Sequence, residues 1–137
     1  LVNGSCKKKL SRKDSLSGKS RIDFTFSKGS HFFIYPIRFQ YLVQKEAEKS
    51  QKLVLFSVSK RYFKKAVDRN LIKRRMREAY RLNQELIQIS DQKLQLAFIY
   101  SAKEVIDFHF IQEKLILGLK RLSNTLSQNH DNESQKD

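Results

Sequence analysis

Cysteine, glycine and acidic residues are all scarce in this chain of 137 residues, which contains one Cys and four Gly. The single cysteine, Cys6, can form neither an intrachain disulfide nor a zinc site built on several thiolates. The glycines do not form a phosphate-binding loop, and no nucleophile elbow is present. The sequence therefore gives no sign of a disulfide scaffold or of the enzyme classes that carry those motifs.

Long apolar runs are also absent. No stretch approaches the roughly 20 apolar residues that a membrane-spanning helix needs. The pattern of a signal peptide, with a basic start, an apolar centre and a small-residue cleavage site, is missing as well. We therefore expect a cytoplasmic protein with no membrane partner.

The deficit of acidic residues bears on both partner and chemistry. Lys and Arg number 28 against 14 Asp and Glu, so the formal net charge is +14, which indicates an acidic partner such as nucleic acid. A protein site for phosphodiester hydrolysis needs carboxylates clustered around metal ions, or a pair of histidines. Here the carboxylates are scattered over different predicted elements, and the three histidines lie far apart. The sequence predicts no catalytic residue and no metal ligand.

Periodicity and composition divide the chain into one predicted domain, residues 16–126, between a disordered basic tail (1–15) and a flexible polar tail (127–137). We predict these elements within the domain: a helix from Leu16 to Lys28 that ends at Gly29, a strand over His31–Gln44 with an edge position or a break at Pro36, a strand over Leu53–Ser59, a basic helix over 66–83, an interior strand over Leu94–Tyr100, and a helix from Phe108 to about Leu126. That order indicates an α/β (α+β) sandwich with one mainly antiparallel sheet.

Basic residues are concentrated between Lys60 and Arg81, a stretch that contains ten Lys or Arg and only two acidic residues, Asp68 and Glu78. On a helical wheel one arc of about 140° is polar and almost wholly cationic, and it holds Arg69, Asn70, Lys73, Arg74, Arg77 and Arg81. The opposite arc is the packing side, with Ile72, Met76, Ala79 and Tyr80; Arg75 and Glu78 lie between the two and are predicted to be solvated. Like charges four residues apart repel by a few tenths of a kcal/mol, so a one-signed stripe favours a polyanion as partner over an ordinary solvated face.

A family resemblance rests on the same stretch. Residues 57–83 read SVSKRYFKKAVDRNLIKRRMREAYRLN, which resembles the signature of the bacterial ribonuclease P protein subunit, a strand ending in V-S-K followed by A-V-x-R-N-x-x-K-R-x-x-R-E. Two departures stand out. Leu71 occupies the position where the motif commonly has a further Arg, and the loop over residues 61–65 is a residue longer than usual and lacks a Gly.

The resemblance implies a fold and partners. The fold would be a four-stranded sandwich like the second domain of ribosomal protein S5, with an unusual left-handed strand-helix-strand crossover. The partners would be a catalytic RNA, which uses Mg²⁺, and precursor tRNA, whose 5′ leader is removed; the protein itself would bind no cofactor, and no protein partner is implied. Carried over residue by residue, the contacts to the catalytic RNA fall on Lys60, Arg61, Lys64, Lys65, Arg69, Asn70, Lys73, Arg74 and Arg77.

The resemblance also implies a cleft for the leader, lined by Ile22, Phe26, Phe39 and Tyr41. Bases stack on aromatic rings for about 1 to 3 kcal/mol each with little sequence preference, which suits a leader of variable sequence. Ile22 stands where the family usually has an aromatic residue, so stacking there is weakened. Each of the four has a structural alternative, because Ile22 and Phe26 also suit the core face of a helix, and Phe39 and Tyr41 suit the core face of a strand.

Two other functions stay open from the residues alone. A ribosomal-type or general structured-RNA binder would need the same cationic stripe but no leader cleft, so truncating the leader would not change its affinity. A helix-turn-helix DNA-binding protein would use residues 66–83 as its recognition helix. The element before that helix has the pattern of a strand, which argues against the second possibility.

Overall fold

The computed structural model describes residues 10, 15, 16, 18–45, 50–89 and 92–136. In chain order the elements are α1 (Lys19–Lys28), β1 (Ser30–Ile34), β2 (Ile37–Lys45), β3 (Gln51–Val58), α2 (Ala66–Asn83), a 3₁₀ turn (Gln84–Leu86), β4 (Gln92–Tyr100) and α3 (Phe108–Lys136). α3 continues past its predicted end at Leu126, and the sequence contains neither Pro nor Gly after Gly118 that would stop it. Most of the predicted N-terminal tail lies outside the described residues.

The four strands form one sheet in the order β1-β2-β4-β3. β2 is antiparallel to both of its neighbours, whereas β3 and β4 are parallel and are connected through α2. The predicted α+β fold with a mainly antiparallel sheet is thus confirmed, while the hand of the crossover stays a prediction. The predicted break at Pro36 is also confirmed, because a turn with a cis Tyr35–Pro36 peptide bond separates β1 from β2.

Strand register assigns the side chains to two faces, since successive residues of a strand point to opposite sides. The covered face packs under α2 and α3, and Phe32, Phe39, Phe98 and Tyr100 lie on it. The helices meet it with two buried stripes, both as predicted: Ile72, Met76, Ala79 and Tyr80 on α2, and Ile111, Leu115, Leu119 and Leu122 on α3. The core therefore lies between this face and the two long helices.

α1 lies on the other side of the sheet, here called the α1 face. Thr25 Oγ1 donates a hydrogen bond to Gln95 Oε1, and Gln40 Nε2 donates to the Phe26 carbonyl at 3.0 Å. α1 begins at Lys19 and not at the predicted Leu16, because the Leu16 amide donates to the Val54 carbonyl at 2.8 Å and its side chain is buried. Residues 15 and 16 thus extend the edge of the sheet beside β3 and are not part of the helix.

Gly118 lets α3 approach the covered face closely. A Cβ at this position would overlap the Phe39 ring, which is stacked on Phe32 with centroids 4.9 Å apart and meets Phe98 edge-on. A ring held on two sides cannot move aside without disturbing its neighbours. The approach of α3 to β2 therefore depends on the absence of a side chain at Gly118.

We expect Gly118→Ala to lower the free energy of unfolding by about 1 to 3 kcal/mol through overpacking, although Ala gains about 1 kcal/mol over Gly in helix propensity. Urea denaturation of the variant checks this. Asn124→Ala, an exposed substitution on the same helix, is the control and should be neutral or slightly stabilising. Adding Phe39→Leu to Gly118→Ala should recover part of the loss; an unchanged stability of Gly118→Ala alone would contradict the argument.

Candidate nucleic-acid interface

The loop between β3 and α2, residues 59–65 and here called the basic loop, is built around one buried aromatic side chain. Phe63 is buried in the core with its ring 5.9 Å from that of Tyr100, and its amide donates to the Ser59 carbonyl at 3.2 Å. The remaining large side chains of the loop stay outside: Lys60, Arg61, Tyr62, Lys64 and Lys65. A buried anchor thus holds four basic residues at the surface.

Arg69, in the first turn of α2, closes this loop. Its Nη1 donates to the carbonyls of Phe63 at 2.7 Å and Lys64 at 3.0 Å. Both acceptors are main-chain groups of the loop, so the guanidinium fixes the path of the backbone just before the helix. Arg69 thus positions its basic neighbours, and its predicted contact with an RNA phosphate stays a prediction.

The other predicted residues of α2 are on the side away from the core. Asn70, Arg74 and Arg77 are exposed and Lys73 is half-buried, opposite the stripe that packs on the sheet. Together with the loop they form the cationic surface, which is defined by Lys60, Arg61, Lys64, Lys65, Arg69, Asn70, Lys73, Arg74 and Arg77. The spacing predicted from the helical period is therefore found in the structure.

Two further basic residues of α2 are engaged within the protein. Arg75 Nη1 donates to the Ile106 carbonyl at 2.6 Å, and Arg81 pairs with Glu78 at 2.6 Å. The hydrogen bond from Arg81 lowers the pKa of Glu78. The prediction that Arg75 and Glu78 are simply solvated is wrong, because the first reaches a loop from another part of the chain and the second has a partner one turn away.

The loop that Arg75 reaches, residues 101–107, is also held by Tyr100. The Tyr100 hydroxyl donates to the Glu104 carbonyl at 2.6 Å and accepts from the Ile106 amide at 3.0 Å. Burial raises the pKa of this phenol to about 12. The loop between β4 and α3 is therefore fixed against both the sheet and α2.

The raised pKa predicts a loss of stability in alkali. Above pH 10 an unfolded chain releases the phenol proton while the folded protein keeps it, so stability falls as the pH rises from about 10 to 12, by roughly 2 to 3 kcal/mol in total. We expect the difference in unfolding free energy between the wild type and Tyr100→Phe to shrink over this range. Denaturation at several pH values measures it; a constant difference would contradict the assignment.

The four predicted leader residues do not share one cleft. Phe26, 39% exposed, and half-buried Ile22 belong to α1, whereas Phe39 is 1% exposed beneath α3 and Tyr41 lies on the same covered face. The prediction that Phe39 and Tyr41 line a cleft with α1 is therefore wrong. Alternation along the strand indicated correctly that they share a face, but that face is the core face.

The α1 face has its own open row at the end nearest the basic loop. Strand register aligns one residue from each strand there: Phe33, Arg38, Ile99 and Ser57. Phe33 is 52% exposed and Arg38 is exposed, whereas Gln40, Gln95 and Ala97 further along the same face are buried. Sequence reasoning missed this row, although Arg38, the one Lys or Arg in the predicted strand His31–Gln44, could have marked the open face.

Within the described parts of the chain, no group of three His, Cys, Asp or Glu residues could hold a metal ion. None of the helices in the described residues is long and apolar enough to cross a membrane. The cationic surface and the open row instead expose basic and aromatic side chains, the two types of side chain that contact RNA phosphates and bases.

A mixed four-stranded sheet with a basic helix in the crossover between its two parallel strands is the fold of bacterial ribonuclease P proteins. The ribonuclease P protein of Thermotoga maritima has this fold, with a TM-score of 0.64, 24% identity, and coverage of 78% of this chain and 96% of that chain. The Staphylococcus aureus protein gives a TM-score of 0.63 and 23% identity over 80% of this chain and 94% of that chain.

Sequence comparison agrees with the fold. The Ribonuclease P family profile matches residues 10–123. The ribonuclease P protein component of Porphyromonas gingivalis is 34% identical over 118 residues, 83% of this chain and 86% of that protein. That of Chlorobaculum tepidum is 34% identical over 105 residues, 69% of this chain and 68% of that protein. The chain belongs to the ribonuclease P protein family.

Proposed function

We propose that this chain is the protein subunit of a ribonuclease P that binds the enzyme's catalytic RNA through the cationic surface. The observation that carries the proposal is the way this surface is built: Phe63 and Arg69 fix the loop, so that basic side chains of the loop and of α2 form one array. Side chains that neutralise phosphates release condensed counterions and so bind RNA with strong salt dependence. The surface would thereby hold the RNA without reading its sequence.

The cleavage itself, in this proposal, belongs to the RNA. Removal of the 5′ leader from precursor tRNA would use Mg²⁺ bound by the RNA, and the protein would contribute affinity. The described residues do not fit a metal site, because they include no suitable cluster of carboxylates or histidines. The chain is accordingly proposed as a non-catalytic part of an endoribonuclease.

We further propose that the leader of precursor tRNA lies on the α1 face. Support comes from the open row, where Phe33 offers an exposed ring and Arg38 an exposed cation, and from exposed Phe26, whose carbonyl bonds to Gln40 on the same face of β2 as Arg38. The row ends at Ser57, which precedes the basic loop by only a few residues. A single strand could therefore pass from the open row to the cationic surface, with bases on rings and phosphates on cations.

Cleavage of a precursor tRNA at low Mg²⁺ by a bacterial ribonuclease P RNA, with and without this protein, tests the proposal. We expect cleavage at the mature 5′ end that depends on both RNA and protein. No stimulation with any bacterial ribonuclease P RNA would leave only a general RNA binder. Cleavage by the protein alone would refute the assignment of catalysis to the RNA.

A further inference from the structure

We propose that the RNA-binding surface continues beyond the basic loop and α2 onto the loop between β4 and α3, where Lys103 binds a further RNA phosphate. This inference rests on the proposed function and extends it to a residue outside the family motif. Lys103 lies 20 residues after Asn83, the last residue of α2, so only the fold brings it to the cationic surface.

The loop that carries Lys103 is firmly attached beside that surface. The Tyr100 hydroxyl bonds to the Glu104 carbonyl and the Ile106 amide, and Arg75 of α2 bonds to the Ile106 carbonyl at 2.6 Å. The Tyr100 ring also meets Phe63, the anchor of the basic loop. The same two aromatic side chains thus support both loops, and their relative position is fixed by the core.

Tyr62 links the two loops at the surface. This side chain is 43% exposed, and its ring has two cations over it: Arg61 Cζ at 5.9 Å from the centroid and Lys103 Nζ at 5.5 Å. The ring attracts both, and it thereby holds two like charges near each other. Because those charges repel, an anion bound between or beside them is favoured, and the anion in reach of this surface is an RNA phosphate.

The chain offers a matched control for an ordinary contact between a lysine and an aromatic ring. Lys114 of α3 lies 5.1 Å from the Phe110 centroid. It has the same charge and the same kind of contact as Lys103, but it belongs to a helix outside the cationic surface. Removing either lysine lowers the net charge of the protein equally, so a difference between the two variants reports their positions.

The experiment measures the affinity of the full-length protein for a ribonuclease P RNA over a range of salt concentrations. We expect Lys103→Met to reduce the magnitude of the slope of log affinity against log salt by about one, the value for one lost phosphate contact. Binding should weaken about three- to tenfold near 0.1 M salt. Lys114→Met should leave both unchanged. A second arm compares assembled enzyme binding to precursor tRNA with and without its leader, because Lys103 could meet a phosphate of either RNA.

The outcomes separate this inference from the proposed function. An effect of Lys103→Met in the first arm assigns the phosphate to the catalytic RNA, and an effect only with the leader present assigns it to the substrate; either supports the inference. Equal effects of both lysine variants, or none from Lys103→Met, would overturn it while leaving the proposed function intact. Absence of salt-dependent RNA binding by the wild type would overturn both.

Substitutions of Tyr62 provide a second test, because they should alter the effect of Lys103→Met on the salt slope only if the Tyr62 ring positions Lys103 for a phosphate. Tyr62→Phe keeps the ring and should keep the effect of Lys103→Met on the salt slope. Tyr62→Ser removes the ring that holds Lys103 near Arg61, so in that background the further loss caused by Lys103→Met should become smaller. Circular dichroism of each variant verifies that the fold is retained.

Discussion

Reversing the charges of Arg69 and Lys73 together is expected to weaken binding of the catalytic RNA by roughly 100- to 1,000-fold at about 0.1 M salt. The two residues follow each other by four along α2, on the side away from the buried stripe. The change removes two cations from the array, adds two repulsive carboxylates, and replaces the donor that bonds to the loop carbonyls. Filter binding or fluorescence anisotropy with a ribonuclease P RNA measures the affinity.

Neutral single variants then separate the two contributions. Lys73→Met should reduce the salt slope by about one, the value for one lost phosphate contact, because it removes a cation but keeps the hydrogen bonds from Arg69 to the loop carbonyls. Arg69→Met should weaken binding while changing the slope less, since it mainly releases the carbonyls of Phe63 and Lys64 and leaves the loop lysines able to reach phosphates at a greater entropic cost.

A matched reversal on the outer part of α3 is the control for total charge. Lys114→Glu together with Lys120→Glu changes the net charge equally and should reduce affinity far less. If Arg69→Glu with Lys73→Glu bound the RNA with native affinity, the role assigned to α2 would be wrong. If the α3 pair caused an equal loss, the binding would depend on net charge and not on the cationic surface.

The cationic stripe of α2 could be predicted because a helix has one period and its buried side is apolar. Once Ile72, Met76, Ala79 and Tyr80 are assigned to the core, the position of the basic residues follows from geometry alone. The partners of individual side chains could not be predicted in this way. Arg69 and Arg75 both donate to carbonyls whose positions depend on how the chain folds around the helix.

The error at Phe39 has a different cause. Alternation along a strand indicates which residues share a face, but it does not indicate whether that face meets the core or the solvent when both contain apolar residues. In β2 the covered face includes Ile37, Phe39 and Tyr41, and the α1 face includes Arg38 and Gln40. The turn at Pro36 shifts the alternation, so Phe33 and not Phe39 is the exposed ring on the α1 face.

The exposed rings of the α1 face are expected to contribute strongly to leader binding. Phe26→Ala combined with Phe33→Ala should weaken binding of a precursor tRNA with a native-length leader to the assembled enzyme by about a hundredfold, because each base stacked on an aromatic ring contributes about 1 to 3 kcal/mol. Binding of a mature tRNA, which has no leader, should change less than about twofold. Both rings are exposed, so their removal should leave the core intact.

Phe110→Ala is the matched control, since Phe110 is a similarly exposed ring on α3. Its removal should not affect leader binding. Equal losses for precursor and mature tRNA in the double variant would indicate that the rings support assembly with the catalytic RNA and not the leader. An unchanged affinity for the precursor would remove the α1 face as the leader site, and the family relationship would then have to be reconciled with a leader path that avoids the open row.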